Sequence, residues 1–219
     1  MARIRIVPYE PKYREMVRDC VYATGFGGEN VEPFFEDREL FADLVTLYYT
    51  DHEPESGFIP LVDGEPAGYL LGGANTRKYE EALKQTIMPL ILRNIAGGKY
   101  RLGRSARAYA RSFIWHKIRG EHISTPVDLY PAHLHIDLFE EFRRSGVGSL
   151  LINTYIDYLK RLRIIGVHLV TSSYHAAAMP FYNMLGFSRY STKRVIDSYH
   201  RRMSQKQYYE ICYVKSITQ

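Results

Sequence analysis

The segment that most constrains the fold is a short apolar strand that leads into a glycine-containing turn and a long amphipathic helix. The strand is predicted at Ala132–Leu138, the turn contains Gly146 and Gly148, and helical periodicity continues to Leu162. Glycines in such a turn let a ligand approach the backbone, because no Cβ stands in the way. The first amides of the helix lack internal acceptors and lie at the positive end of the helix dipole. The segment therefore predicts a site for phosphate or pyrophosphate.

Predicted strands and helices alternate along the rest of the chain. The other strands are predicted at Arg3–Val7, Phe58–Val62, Ala67–Leu71, Val167–Thr171 and Tyr208–Val214. Helices are predicted at Lys12–Tyr22, Phe34–Tyr49, Gly146–Leu162 and Ala176–Leu185, with two more from Tyr79 to about Arg119 that are separated at Gly97-Gly98. Asp63-Gly64 predicts a tight hairpin turn, since both residues tolerate positive φ. The pattern indicates an α/β fold with a mixed sheet.

Length and composition narrow the classes of protein that this chain can represent. The 219 residues suit one domain, 1–219, with a helical insertion at about 79–120, and 46% apolar with 24% charged residues excludes wholesale disorder. No apolar run is long enough to span a bilayer, and the first residues lack a signal core. Cys20 and Cys212 stand far apart in no metal-binding pattern, which fits a cytoplasmic protein without a metal site.

The net charge of +5 comes from one basic segment. Nine Lys or Arg and no acidic residue lie between Ala82 and Gly120. The default interpretation is a solvated helix face; a lid over an anionic ligand, a dimer contact and an RNA-binding surface are alternatives. The sequence disfavours nucleic acid because no known single-strand motif accompanies the arginines.

Two motifs together resemble the GNAT superfamily of N-acetyltransferases. The coenzyme A motif Arg/Gln-x-x-Gly-x-Gly/Ala is matched by Arg143, Gly146 and Gly148. The later motif Ala-x-x-Phe-Tyr-x-x-x-Gly-Phe is matched by Ala178, Phe181, Tyr182, Gly186 and Phe187. The resemblance implies a mixed, mostly antiparallel sheet flanked by helices, with the insertion before the coenzyme-binding strand. Tyr130–Leu138 further resembles the acetyltransferase-like domain attached to some O-GlcNAc hydrolases.

The resemblance also implies a binding site for acetyl-CoA, which would act as cosubstrate. The amides of Arg144–Ser149 would hold its pyrophosphate, the pantetheine arm would run beside Leu138 and Phe139, and the arginines would add charged donors. The residues expected to bind it are Leu138, Phe139, Arg143, Arg144, Ser145, Gly146, Val147, Gly148, Ser149, His175, Ala178 and Tyr182. His175 stands where relatives often have Asn. The alternative for the turn is a tight connection with a packing glycine.

Four side chains are candidates for proton transfer. Tyr182 matches the family's candidate general acid, which would protonate the leaving thiolate; alternatively it only packs against the pantetheine or caps the helix. His133, His135 and Asp137 share one strand face by alternation, and a base there would take the proton of the amine. The alternatives are that these three groups only contact the insertion or solvent, or that no base is used.

The leading hypothesis is an N-acetyltransferase that transfers acetyl directly to an amine acceptor. A small molecule is favoured as the acceptor, and a protein lysine or N-terminus is the alternative. No cysteine lies in the motif segment, so no covalent acetyl-enzyme is expected. The alternatives are a non-catalytic acyl-CoA-binding module and a basic protein that binds RNA or a protein partner.

Overall fold

A computed structural model describes residues 2–25, 28–33, 35–108, 111, 123–173, 175, 177–195 and 208–217. In this part of the chain eight strands form one sheet in the order β1-β2-β4-β5-β6-β8-β7, with β3 paired to β2. The strands are β1 (Ile4–Pro8), β2 (Gly57–Val62), β3 (Glu65–Pro66), β4 (Gly68–Gly73), β5 (Ala132–Leu138), β6 (Gly166–Ser172), β7 (Ser188–Val195) and β8 (Tyr208–Ser216). The β5–β6 pair is parallel and the other pairs are antiparallel, which confirms the predicted mixed sheet.

Helices cover both faces of the sheet. They are α1 (Arg14–Thr24), α2 (Arg38–Asp51), α3 (Thr76–Ala82), α4 (Met88–Ala96), α5 (Val147–Arg161) and α6 (Ala178–Met184). The residues of α1, α2 and α4 enclose one apolar core, and those of α5 and α6 enclose the other. The sheet therefore has one apolar core on each face, as expected for a sheet with helices packed on both sides.

The first break that the sequence predicts in the helical insertion, at Gly97-Gly98, is present in the structure. Helix α4 ends at Ala96, and Gly97 and Gly98 interrupt the helical pattern. Helical backbone resumes at Arg104, where Glu36 accepts hydrogen bonds from the amides of Ser105 and Ala106 at 2.8 and 3.1 Å. The rest of the second predicted helix, except residue 111, lies outside the described residues. The extent of the insertion stays a prediction.

Two sequence predictions of secondary structure were wrong. Helix α2 was expected to begin at Phe34, but it begins at Arg38 because the Asp37 carboxylate accepts a hydrogen bond from the Leu40 amide at 2.8 Å and caps the helix. No strand was predicted between Ala176–Leu185 and Tyr208–Val214, yet β7 pairs with β8 there. The Asp63-Gly64 hairpin is confirmed, with φ of 51° and 96°.

A buried ion pair joins α1 to α2. The Arg18 guanidinium lies 2.5 Å from the Asp43 carboxylate, and both side chains are 5% exposed. Burial by itself raises the pKa of Asp43, but hydrogen bonds from Tyr100 and Arg18 outweigh it and hold that pKa below its usual value. Because Tyr100 follows α4 and its hydroxyl donates to Asp43, the pair also connects this part of the insertion to α2.

We expect Asp43→Asn to lower the free energy of unfolding by about 3 kcal/mol, because it leaves the buried guanidinium without its main counter-charge. Urea denaturation followed by circular dichroism measures the change. The matched control is Asp51→Asn, which breaks the half-exposed ion pair with Arg14 and should cost less than about 1 kcal/mol. Equal losses of unfolding free energy in the two variants would show that the buried Arg18–Asp43 pair contributes no more to stability than the half-exposed pair.

Candidate active site

The site begins where two neighbouring parallel strands separate. Strands β5 and β6 pair only at Ala132 with Val167 and at His133 with His168. From Leu134 onward β5 stays paired to β4 on its other side, while β6 stays paired to β8. The facing edges thus diverge and open a cleft of about 1010 Å³ in the middle of the sheet.

The turn between β5 and α5 forms one end of this cleft. Gly146 precedes the helix with φ of 86°, and no side chain caps the helix there. The first intrahelical hydrogen bond runs from the Leu150 amide to the Gly146 carbonyl at 3.1 Å, so the amides before Leu150 have no acceptor within the helix. A Cβ on Gly148 would lie 3.1 Å from the Phe181 ring, which explains the second glycine. These features confirm an open helix N-terminus beside the cleft.

Two nitrogen atoms of Arg143 donate to main-chain carbonyls near the cleft. Its guanidinium donates to the Leu138 carbonyl at 2.9 Å and to the Gly28 carbonyl at 3.0 Å. The side chain therefore ties the end of β5 to the loop after α1, and these bonds use donors that were expected to bind the pyrophosphate. Arg144 is exposed, with φ of 60°, and lines the cleft.

Tyr182 lies in the wall of the cleft. Its ring packs against Phe181, Phe187 and Tyr213 at centroid distances of 5.3, 5.8 and 5.7 Å. Burial, together with the negative charge of Asp137, raises the pKa of the Tyr182 phenol above its ordinary value. Its hydroxyl has no hydrogen-bond partner among the described residues, although it lines the cleft. The phenol is thus held protonated and free to donate.

His135 and Asp137 also line the cleft, and both contact Tyr69 on β4. The Tyr69 hydroxyl lies 2.8 Å from an Asp137 carboxylate oxygen and 3.1 Å from Nδ1 of His135. The His135 and Tyr69 rings stack at 5.7 Å. Burial, with Asp137 nearby, raises the pKa of Tyr69 well above its ordinary value, so its hydroxyl keeps its proton.

His133 shares their strand face, as alternation predicts, but it does not line the cleft. Its Nε2 lies 3.0 Å from the Tyr49 hydroxyl, and its Nδ1 lies 2.8 Å from the Thr76 hydroxyl. The ring also packs against Tyr79 and His168. Burial, with His168 and His135 nearby, lowers the pKa of His133 to about 3. His133 is therefore a buried, neutral core residue, in line with the structural alternative for this face.

The depressed pKa of His133 makes stability depend on pH. The unfolded chain protonates this ring below about pH 6.5, whereas the folded state does so only near pH 3. Because the unfolded state binds more protons in that window, stability falls as the pH falls through it. We expect His133 to account for about 2 kcal/mol of the stability lost between pH 7 and pH 5.

Urea unfolding at pH 7 and pH 5 tests this expectation. Between the two pH values, His133→Gln should lose about 2 kcal/mol less stability than the wild type. His52→Gln, at an exposed position, should keep the wild-type pH dependence. An unchanged pH dependence in His133→Gln would contradict the assignment.

The cleft gathers most of the site residues predicted from the sequence. Lining residues among them are His135, Asp137, Leu138, Arg143, Arg144, Gly146, Gly148, Ser149, His175, Ala178 and Tyr182. Three others are not lining residues. Phe139 packs against the core of α1 and α2, the Ser145 hydroxyl donates to the Phe142 carbonyl at 2.5 Å, and Val147 is fully buried. Burial lowers the pKa of His175, so its ring is neutral.

Sequence reasoning missed several residues of the cleft. Thr24, Gly25 and Gly28 come from the end of α1 and the loop after it, and Glu210 comes from β8. Tyr69 was missed as the shared partner of His135 and Asp137. These contacts depend on strand register and on loop packing, for which the sequence carries no local signal.

Within the described part of the basic segment, Arg104, Arg107 and Arg111 are exposed, whereas Ala106 is buried. No group of three or more His, Cys, Asp or Glu residues that could hold a metal ion occurs among the residues described. No described helix is both long and apolar enough to cross a membrane.

The strand order, the central gap in the sheet and the open turn before α5 define the GNAT class of acetyltransferase folds. Residues 108–187 match the sequence model of the Acetyltransferase (GNAT) family. The chain therefore has the GNAT fold.

Solved structures resemble this chain over almost its whole length. The crystal structure of SsHAT shares 26% identity over 99% of both chains, with a TM-score of 0.76. The ribosomal-protein-S18-alanine N-acetyltransferase of Escherichia coli shares 14% identity over 99% of this chain and 96% of its own, with a TM-score of 0.56. The yncA protein of Salmonella typhimurium, solved with its cofactor acetyl-CoA, shares 10% identity over 99% and 95%, with a TM-score of 0.58.

Proposed function

We propose that this protein is an N-acetyltransferase that transfers the acetyl group of acetyl-CoA directly to an amine. The observation that carries the proposal is the single cleft that joins the open N-terminus of α5 to the free hydroxyl of Tyr182. Amides at one end suit a pyrophosphate. The unpaired edges of β5 and β6 suit the amides of a pantetheine arm, which would lie between them as an added strand. The solved complex of yncA with acetyl-CoA supports the same cosubstrate.

The transfer needs two proton movements, and the cleft offers a group for each. The amine nitrogen attacks the thioester carbonyl, and a base on β5, His135 or Asp137, takes the proton that the nitrogen loses. When the carbon–sulfur bond breaks, Tyr182 donates its proton to the leaving thiolate. Water then returns a proton to Tyr182 and removes the one on the base, which balances the reaction. Placing amine and thioester together supplies much of the remaining acceleration.

Both cysteines support direct transfer over a covalent acetyl-enzyme. Cys20 and Cys212 are fully buried, and neither lines the cleft. Burial raises the pKa of the Cys212 thiol to about 11 and raises that of Cys20 as well. Each thiol is therefore protonated at neutral pH and out of reach of a thioester.

The acceptor in this proposal is a small amine. A cleft of about 1010 Å³ is at the upper end of the usual range for small-molecule sites, so it has room for an acyl carrier arm and a compact second substrate. The carboxylate of Asp137 lines it and would attract a cationic amine, which releases one proton to solvent before the neutral nitrogen attacks. We also propose that this chain is related to the acetyltransferase-like domain of O-GlcNAc hydrolases. The sequence of Tyr130–Leu138 supports this relationship.

Two measurements test the proposed function in order. Isothermal calorimetry with coenzyme A should show saturable binding at modest salt, and no binding would overturn the assignment of the cleft. Release of the coenzyme thiol from acetyl-CoA is then followed with a panel of amino sugars, amino acids and polyamines. Binding without thiol release for any amine would identify a non-catalytic acyl-CoA-binding module instead.

A further inference from the structure

We propose that Tyr69 is a positioning residue that fixes the tautomer of His135, so that Nε2 of His135 presents its lone pair to the cleft as the proton acceptor for the amine. The inference deepens the proposed function and rests on it for the role of that nitrogen. Tyr69 itself does not line the cleft and would touch neither substrate.

The hydrogen bonds of Tyr69 determine where the proton on His135 lies. An ionised carboxylate only accepts, so the Tyr69 hydroxyl must donate its single proton to Asp137 across 2.8 Å. Its oxygen can then only accept from the ring nitrogen 3.1 Å away. Nδ1 of His135 is therefore the protonated nitrogen, and in the neutral ring Nε2 carries the lone pair.

Nε2 of His135 is left open to the cleft. It lies 3.8 Å from the Asp137 carboxylate, which is too long for a hydrogen bond, and it has no hydrogen-bond partner among the described residues. The side chain is 38% exposed and lines the cleft. A neutral imidazole with an open Nε2 can accept a proton from a bound amine.

A second tyrosine–histidine pair on the same sheet face provides an internal comparison. The Thr76 hydroxyl donates to the Pro131 carbonyl at 2.8 Å, so Nδ1 of His133 must donate to Thr76. Nε2 of His133 then accepts from the Tyr49 hydroxyl at 3.0 Å. Both histidines thus carry the proton on Nδ1, but Tyr49 binds Nε2 of His133, whereas no described residue binds Nε2 of His135.

Tyr69 is held rigidly enough for this role. It is fully buried, and it stands directly opposite Asp137 in the β4–β5 register. Its ring stacks on that of His135 at an interplanar angle of 27°. Packing and register thus fix the hydroxyl between the two side chains that it bridges.

Nitrogen NMR of the full chain labelled with ¹⁵N-histidine tests the tautomer without any substrate. The signals of His135 are identified by their loss in His135→Gln. In the wild type we expect a protonated Nδ1 and an unprotonated Nε2, and in Tyr69→Phe a mixture of tautomers. A wild-type His135 protonated on Nε2, or shifts that Tyr69→Phe leaves unchanged, would overturn the proposal. The wild-type spectrum decides this even if Tyr69→Phe does not fold.

Steady-state kinetics then tests the role in transfer. Tyr69→Phe should lower kcat about 10-fold with the KM for acetyl-CoA unchanged, less than the loss of about 100-fold expected when a general base is removed. Tyr49→Phe, the same change beside His133, should keep kcat within about 2-fold, as should the buried control Tyr155→Phe. Equal losses in all three would indicate a merely structural effect. Absence of acetyl transfer in the wild type refutes the proposed function but leaves the NMR result standing, so the two failures are distinguishable.

Discussion

Tyr182→Phe should lower kcat for acetyl transfer by a factor of about 100 or more, while the Kd for coenzyme A changes less than about 3-fold. The substitution removes only the hydroxyl, which would protonate the thiolate, and proton donation of this kind contributes about 10²–10⁴ to a rate. The raised pKa of this phenol means that its proton is present throughout the neutral range. Initial rates of thiol release and calorimetry with coenzyme A measure the two quantities.

The fold should survive this change. The Tyr182 hydroxyl has no hydrogen-bond partner among the described residues, so its removal strands no buried group there, and the ring contacts with Phe181, Phe187 and Tyr213 remain. Tyr190→Phe, at an exposed position, is the matched control and should leave both quantities unchanged. If affinity collapses and turnover follows it, Tyr182 binds the pantetheine and is not the acid.

Gly146→Asp should raise the Kd for coenzyme A about 30-fold at low salt. A carboxylate there would lie beside the amides that are proposed to hold the pyrophosphate, and like charges about 4 Å apart near a protein surface repel by a few kcal/mol at most. Asp is among the non-glycine residues that best tolerate a positive φ, and a Cβ at Gly146 meets no atom within 4 Å. The increase should shrink as salt screens the charges.

Two companion variants separate charge from backbone strain. Gly146→Asn imposes the same φ without the charge, and it should weaken binding by less than about 5-fold. Gly98→Asp imposes a comparable strain at φ of 74°, also in open space, but away from the cleft, and it should leave binding intact. A Gly146→Asp protein that binds coenzyme A as tightly as the wild type would refute the location of the pyrophosphate.

The periodic elements were the predictable part of this fold. Strand β5 has the predicted bounds, and α5 begins and ends within one residue of the prediction, because its apolar positions repeat at helical spacing over four turns. Strand β7 was missed because Ser188–Val195 is mostly polar and lies at the edge of the sheet, where no alternating apolar face is needed. The predicted start of α2 was wrong because the Asp37 carboxylate caps the helix and places its first residue at Arg38.

The site was predictable where a motif is local and unpredictable where partners come from distant segments. The turn at Gly146 and the position of Tyr182 were expected from contiguous residues, and both lie in the cleft. The bond from Arg143 to the Gly28 carbonyl spans 115 positions, and the Tyr69–Asp137 bond spans 68. Such contacts depend on strand order and loop packing, which are properties of the assembled fold.

The early separation of β5 from β6 has a consequence for how this protein could be modified. Every residue except proline offers the same main-chain N–H and C=O groups at the unpaired edge of a strand. A ligand bound through these groups is therefore insensitive to which side chains the strand carries. Side chains at alternate positions of β5 are then available to determine which acceptor reacts with the bound ligand. Substituting these side chains should change which acceptor reacts without weakening the binding of the ligand. A proline substitution at the unpaired edge should weaken binding without changing which acceptor reacts.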